Sequence, residues 1–346
     1  MKKISCVDLF CGAGGLTHGF VLEGVPVVAG IDLDPACRFP YEVNNKARFF
    51  ERDISKVSAD ELNELFGRAD IKILAGCAPC QPFSTYAQRY ELDGKDGKWG
   101  LLYEFARLAQ GVNADVITME NVPTVAKHAV FHDFVDTLKR LGYNVWFDVV
   151  DSSKYGVPQK RRRMVLLASK HGDIKMIEPT HPKPNTVRQA IGLLQPLYAG
   201  EVANEDKLHA TSTLSDKNLQ RIKASKPGGT WRDWPQHLVA ECHKADSGRT
   251  YSGVYGRMEW DKPAPTMTTQ CYGFGNGRFG HPDQDRALSL REAAILQSFP
   301  RDYAFVSEDD DVSFTALGRL IGNAVPVDLG RAIARSINSH LLSVTP

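Results

Sequence analysis

Apolar and polar positions in the first half of the chain switch repeatedly between a strand period and a helix period. Ile4–Phe10 is a short apolar run closed by a glycine cluster, after which a helical pattern runs to about Glu23. Val25–Ile31 is a second run, followed by a helix expected to open at Pro35, whose fixed φ suits a first helical position. Phe49–Ile54 is a third. Beyond it, Ser58 and Glu61 have capping-box spacing, and Leu62, Leu65 and Phe66 form the buried stripe of the helix they start. Ile71–Ala75 and Val116–Met119 are the next runs, separated by Leu101, Leu102, Phe105 and Leu108 at helical spacing. Phe131, Phe134, Val135, Leu138 and Leu141 give one more apolar helix face before strands near Val145–Val150 and Met164–Ala168. Strand and helix in alternation predict an α/β fold, a parallel sheet covered on both faces.

From about residue 171 the rhythm fails. Pro179, Pro182 and Pro184, then a Gly/Trp/Tyr-rich tract from Pro227 to His281, predict an irregular second domain. Helical periodicity returns at Ser289–Gln297 and at Val327–Leu342.

Composition narrows the class. With 346 residues, 42% hydrophobic and 24% charged, the chain has the make-up of an ordered globular protein of one large or two ordinary domains. No run of 18 apolar residues is present, so no membrane span is expected. Asp8 interrupts the apolar stretch near Met1, which reads as a buried strand and not a signal peptide. Seven cysteines, an odd number, point to a reducing cytoplasm and thiols. The net charge of +1 hides an uneven distribution: residues 154–191 carry nine Lys/Arg against two Asp/Glu, and 217–232 carry five against none. A basic face for nucleic acid, balanced elsewhere, fits that pattern; so does a solvated surface.

Four segments carry chemistry. Asp8–Gly15 follows the first strand and opens a helix, where glycines admit a ligand to the backbone and unpaired N–H groups face it. The dinucleotide fingerprint would have a third glycine where Thr17 stands. Asp32 and Asp53 end the second and third strands, placed to accept hydroxyls of a nucleoside in the crevice, or to serve as turn and cap residues. Gly76-Cys77-Ala78-Pro79-Cys80-Gln81-Pro82 follows the fourth strand. Zinc is disfavoured because no second Cys-x-x-Cys or close His pair completes four ligands, and Pro82 opposes the regular helix of a redox pair. A nucleophilic thiol on a restrained loop remains, alongside a buried structural one. Met119-Glu120-Asn121-Val122-Pro123 puts a carboxylate on the same rim, as a helix cap or, when partly buried, as a proton donor. In Gln159-Lys160-Arg161-Arg162-Arg163, strand alternation sends Arg161 and Arg163 to one side, so that both guanidinium groups are expected to face the crevice.

Together and in this order, these segments resemble the motifs of the DNA cytosine-5 methyltransferases of prokaryotic restriction-modification systems. Asp8–Gly15 is similar to the first cofactor motif, Cys77–Ser84 to the Pro-Cys loop, Glu120-Asn121-Val122 to the Glu-Asn-Val motif and Gln159–Arg163 to the Gln-x-Arg-x-Arg motif. Arg291–Pro300 and Gly322-Asn323-Ala324-Val325-Pro326 resemble the two motifs beyond the recognition region.

The resemblance implies a Rossmann-like S-adenosylmethionine-dependent methyltransferase domain over 1–185, a smaller irregular target-recognition domain with hinge over 186–311, and a C-terminal helix over 312–346 returning to the first. DNA would lie between the domains. It implies S-adenosylmethionine held by Phe10, Gly12, Gly14, Asp32, Leu33, Asp53, Ile54, Leu102 and Asn323, and no metal. Where many relatives carry Glu at the ribose position, this chain has the shorter Asp32. Cys80 would be the nucleophile, Glu120 and Arg163 would hold a flipped-out cytosine, and Arg161 would support the Cys80 loop. The expected partners are double-stranded DNA and a cognate restriction endonuclease acting on the same sequence, for a monomer in the cytoplasm. Other readings are a cytosine-5 methyltransferase of RNA, disfavoured by a recognition region exceeding 100 residues; a DNA-binding module without activity, disfavoured by Cys80, Glu120 and Arg163; and a nicotinamide dehydrogenase, disfavoured by Thr17.

Overall fold

Each of the first apolar runs forms a strand, and the strands assemble into one seven-stranded sheet of order β3-β2-β1-β4-β5-β7-β6. The strands are β1 (Ile4–Leu9), β2 (Val27–Asp32), β3 (Arg48–Glu51), β4 (Ile71–Gly76), β5 (Val116–Asn121), β6 (Asn144–Asp151) and β7 (Arg162–Ser169). The computed structural model describes residues 2–79, 100–244, 248 and 250–344.

Helices α1 (Gly15–Leu22), α2 (Arg38–Asn45), α3 (Ala59–Phe66), α4 (Gly100–Val112) and α5 (Ala129–Arg140) connect β1 through β6. The expected capping box at the start of α3 is present: Glu61 N donates to Ser58 Oγ, and Ser58 N donates to the Glu61 carboxylate at 2.8 Å. Pro35 opens a short 3-10 turn, Pro35–Cys37, directly ahead of α2. Strand alternation sorts the core into two faces. Val7, Leu9, Leu74, Ile117, Met119 and Leu166 pack with α3, α4 and α5, whereas Cys6, Ile73, Ala75, Val165 and Leu167 pack on the other face.

The wholly parallel sheet expected from the alternation is corrected at β7, which runs antiparallel to both β5 and β6. The connection from β6 to β7 spans only residues 152–161 and contains one 3-10 turn, Ser152–Tyr155. A parallel return needs a crossover of a dozen or more residues, usually helical, so this short connection must reverse the chain.

The chain divides into two compact units. The first comprises Met1–Tyr155, Arg162–Thr180 and Val325–Pro346, and the second Gly156–Arg161 and His181–Ala324. In the second lie α6 (Val187–Ile191), α7 (Asp216–Ala224), α8 (Glu241–Lys244), α9 (Leu290–Leu296) and α10 (Phe314–Asn323); α11 (Val327–Val344) belongs to the first. Among its described residues the second unit has isolated β-bridges and no strand. One of its apolar clusters is built on Ile222, Trp231, Trp234, Leu238, Phe274 and Ala287, and Ile191, Leu290, Leu296, Phe299, Tyr303 and Ile321 are buried as well. Buried arginines add cross-links: Arg257 donates to the carbonyls of Ile222, Ser225, His281 and Gln284. In the first unit, α11 packs on α1 and is clamped there by Arg331 and Arg335, both paired with Glu23. No helix among the described residues is long and apolar enough to cross a membrane.

Candidate active site

At the carboxyl end of β1 the backbone enters left-handed conformations, at Phe10 (φ 57°), Gly12 (φ 54°) and Gly14 (φ 88°). Such a φ is uncommon for an aromatic residue and marks a tightly specified turn. Gly14 is the N-cap of α1 and leaves the first N–H groups of that helix without a side-chain cap. A Cβ on Gly12 would meet no heavy atom within 4 Å, so the turn is open on that side.

Asp32 ties this turn to the end of β2. Gly12 N donates to its Oδ2 at 2.9 Å and Asp34 N to its Oδ1 at 3.0 Å. Burial pushes the Asp32 carboxyl above its ordinary range, with the Asp34 and Gly12 amides pulling against that rise. Next to it Leu33 is 67% exposed, an apolar side chain presented at the strand end. Thr17, where the dinucleotide fingerprint would have glycine, uses its hydroxyl structurally: Oγ1 donates to buried Asp8 Oδ2 at 2.6 Å. Burial pushes Asp8 up to about 7 although that hydroxyl opposes the shift. The departure from the fingerprint thus binds α1 to β1.

The other expected cofactor residues are spread more widely. Asp53 caps the 3-10 turn Ile54–Lys56, accepting from Ser55 N at 3.0 Å, and its carboxyl is lowered by that amide. Ile54 and Leu102 are core residues, Leu102 only 3% exposed on α4. Asn323 is the exposed last residue of α10, in the second unit.

Sheet register assembles the charged part of the site. Gly76 of β4 stands opposite Met119 of β5, so the next residues outward are Cys77 and Glu120. Glu120 stands opposite Val165 of β7, which puts Arg163 on its diagonal and on the same face. Cys77, Glu120 and Arg163 therefore form a row on the face to which Ile73, Ala75 and Val165 point. Cys77 Sγ donates to Glu120 Oε2 at 3.0 Å and also lies 3.4 Å from the Glu120 carbonyl. Arg163 Nε is 2.9 Å from Oε1, an ion pair lacking the alignment of a hydrogen bond. Glu120 is 7% exposed, so this ion pair acts with little water to screen it. Asn121 faces the opposite way, donating from Nδ2 to the Ala78 carbonyl at 3.0 Å and so holding the start of the Pro-Cys segment against β5. Cys80 itself lies outside the described residues.

The expectation that Arg161 and Arg163 face the crevice together is corrected. Strand β7 begins at Arg162, so the alternation that places Arg163 beside Glu120 does not extend back to Arg161. Arg161 is buried in the second unit, where its Nη atoms donate to the carbonyls of Met267, Gly322 and Ala324. Gln159 lies in the same place, accepting from Met267 N at 2.8 Å and donating to the Leu296 carbonyl and Gln297 Oε1. The basic-face argument needs the same adjustment: Arg161 and Arg221 are internal donors, Arg221 to the Leu238 carbonyl, while Lys217, Lys223, Lys226 and Arg232 are exposed. Within the Gly/Trp/Tyr-rich tract, Trp231 stacks on His243 at 4.4 Å, and Tyr255 packs edge-on against Trp234 and Phe274, so these rings pack into the second unit's own apolar cluster.

The sequence reading missed Cys77 as a partner of Glu120. The signal was present, since a cysteine one residue past β4 and a glutamate near the end of the neighbouring strand are brought side by side by parallel pairing.

Comparison with known proteins converges on one family. The profile of the C-5 cytosine-specific DNA methylases matches residues 4–339. Type II methylase M.HgiDII of Herpetosiphon aurantiacus is 55% identical over 97% of this chain and 95% of its own length. Type II methyltransferase M1.HphI of Haemophilus parahaemolyticus is 30% identical over 97% of this chain and 87% of its own. Among solved structures, a prophage-encoded protein of Escherichia coli shares the fold, with a TM-score of 0.74 at 20% identity over 98% of this chain and 99% of that one. The chain belongs to the C-5 cytosine-specific DNA methylases and is a DNA cytosine-5-methyltransferase of the restriction-modification kind.

Proposed function

We propose that the protein methylates carbon 5 of a flipped-out cytosine within one specific double-stranded DNA sequence, using S-adenosylmethionine and a transient covalent bond to Cys80. The observation that carries the reading is the buried Glu120 carboxylate, set by Cys77 and Arg163 at the strand ends beside the open glycine turn.

The residues at that turn fit the cofactor. The open side of Gly12 and the uncapped start of α1 suit its amino-acid end, Asp32 can accept ribose hydroxyls with the lone pairs left after its two amide bonds, and Leu33 offers an exposed apolar surface to the adenine ring. Bound there, it would supply an electrophilic methyl group on a sulfonium. Phe10 and Gly14 shape the same turn, and Asp53 with Ile54 lies at the end of the next strand. Leu102 supports this wall from the core. Asn323, of the Gly322–Pro326 motif, is the remaining residue that the family resemblance implies for the cofactor.

Cytosine carbon 5 is too weak a nucleophile to be methylated unaided. The Cys80 thiolate adds to carbon 6, a sulfur–carbon bond forms, and the ring electrons move to carbon 5 as an enamine. Glu120, protonated or sharing a proton, bonds to ring nitrogen 3 and the exocyclic amine and stabilises the charge that develops there. Arg163 has Nε at Glu120 and Nη1 on the Arg162 carbonyl, and its other Nη serves ring oxygen 2. After methyl transfer a base removes the carbon-5 proton, the electrons return to the ring and Cys80 leaves. A stacked base is out of reach of such a site, so the cytosine must be extruded at a cost of a few kcal/mol. Arg161, whose Nη atoms are taken by the Met267, Gly322 and Ala324 carbonyls inside the second unit, is given no step in this reading.

Bisulfite sequencing of DNA from cells expressing the chain should show conversion-resistant cytosines confined to one sequence context. Uniform conversion, or labelled methyl transfer into RNA in place of duplex DNA, would overturn the reading. The same methylated sequence should resist a restriction endonuclease that cuts it, the partner expected for this monomeric enzyme. For the cofactor site, Asp32→Ala should weaken S-adenosylmethionine binding by about 10- to 100-fold in calorimetric titration, since it removes the ribose acceptor and leaves the Gly12 and Asp34 amides unpaired. Unchanged affinity would remove Asp32 from the site.

A further inference from the structure

Two strands approach Glu120 from opposite sides. Arg163 comes from β7 to Oε1, and Cys77, one residue past β4, comes to Oε2. A glutamate side chain has several rotatable bonds, and an ion pair at one oxygen without directional alignment leaves the carboxylate plane loosely set. The second contact supplies the direction. A thiol is a weak donor in general, but toward a carboxylate its hydrogen bond is charge-assisted, and this one is short at 3.0 Å. Packing is the competing explanation, because Cys77 also touches the apolar cluster behind β4. Packing alone does not account for a sulfur placed between the carboxylate and the carbonyl of one residue, with an acceptor at 3.0 and another at 3.4 Å.

We infer that Cys77 is a positioning residue for methyl transfer, its thiol fixing the Glu120 carboxylate in the plane in which it meets the edge of the cytosine ring. The inference rests on the role of Glu120 proposed above. It gives the first cysteine of the Cys-x-x-Cys pair a task distinct from that of the second. An interaction of this kind matters most when charge develops on the ring, so its loss falls on kcat and not on KM.

The test is a cycle of Cys77→Ala and Cys77→Ser, each made alone and over Glu120→Gln, with kcat and KM measured for DNA and S-adenosylmethionine. Cys77→Ala should lower kcat about tenfold with both KM values within about twofold. Cys77→Ser, which differs from alanine by one hydroxyl donor, should recover most of that loss. Over Glu120→Gln both substitutions should change kcat by less than about twofold, because the group they orient is no longer a carboxylate. Equal kcat for the Ala and Ser variants, or a loss as large over Glu120→Gln as over the native enzyme, would reduce Cys77 to a packing residue. Should Cys77→Ala not fold, Cys77→Val fills the thiol's place as the donor-free variant. A fully active Glu120→Gln enzyme would bring down the role of Glu120 and this inference together; an impaired Glu120→Gln with an unimpaired Cys77→Ala would bring down the inference alone.

Discussion

Cys80→Ser is expected to bind its DNA sequence with nearly native affinity and to lose methyl transfer by about 10³-fold or more. The asymmetry follows from what each group does. Binding draws on phosphate contacts and on groups reading base edges, which a change of one atom at Cys80 leaves in place. Turnover requires an anionic nucleophile at ring carbon 6. A thiol, with a free pKa near 8.5, reaches that state readily near neutral pH, whereas an alcohol does not. Serine also forms a harder, less polarisable nucleophile, so the enamine that activates carbon 5 rarely forms. Gel-shift titration beside single-turnover transfer of labelled methyl groups separates the two quantities. Methylation at close to the native rate would refute the nucleophile, and simultaneous loss of binding would make Cys80 structural.

Much of this site was legible because its parts sit at strand ends, and strand ends are where apolar runs stop. Asp32, Cys77 and Glu120 each lie at or just beyond such a boundary, so the positions of the runs located them before any coordinates. Their neighbours were less accessible. Strand β7 reads as an apolar run whichever way it points, since a strand buried on both faces has no period to reveal its direction; only the short connection over 152–161 carried that information. The start of β7 mattered equally, because a boundary between Arg161 and Arg162 decides whether two arginines share a face or serve different units. In the second unit periodicity failed for a physical reason. Its buried apolar residues sit largely on irregular backbone and short helices, and buried arginines on backbone carbonyls, Arg221 and Arg257 among them, join residues 17 to 35 positions apart with no repeating pattern.

The largest stability effect is expected at the most deeply buried of these arginines. Arg286 is fully buried, and its two Nη atoms each donate to an oxygen of buried Glu292 at 2.7 Å. Glu292 also receives Ser289 N at 2.8 Å, closing the capping box that starts α9. Burial works to raise the Glu292 carboxyl, and the Arg286 hydrogen bonds and charge outweigh it, so the group is held below its ordinary value. Glu292→Ala leaves a buried guanidinium without its counter-charge and should cost about 3–5 kcal/mol, whereas replacing both partners by leucine should cost much less than the sum of the single changes. Hydrogen exchange across α9 reports this locally, which suits a chain of two units.

Within the same cluster His281 sets the sign of the pH dependence. His281 Nδ1 accepts from the amides of Asp283 and Gln284, so the folded ring is neutral, and burial pushes it down to about 4. The unfolded ring binds a proton below about 6.5, so the contribution of this ring to stability falls as pH drops from there toward 4, by up to about 1.4 kcal/mol per unit. Glu292 adds to the acid loss lower down, because a depressed carboxyl contributes stability above its unfolded pKa and surrenders it as pH falls through the folded one. The change in denaturant midpoint from pH 7.5 to pH 5 should therefore be less favourable in the native protein than in His281→Gln, whose amide carries no proton to gain and which keeps the opposing contribution of Asp8, pushed up to about 7. A change of equal size in both proteins would mean that the acid sensitivity lies outside this cluster.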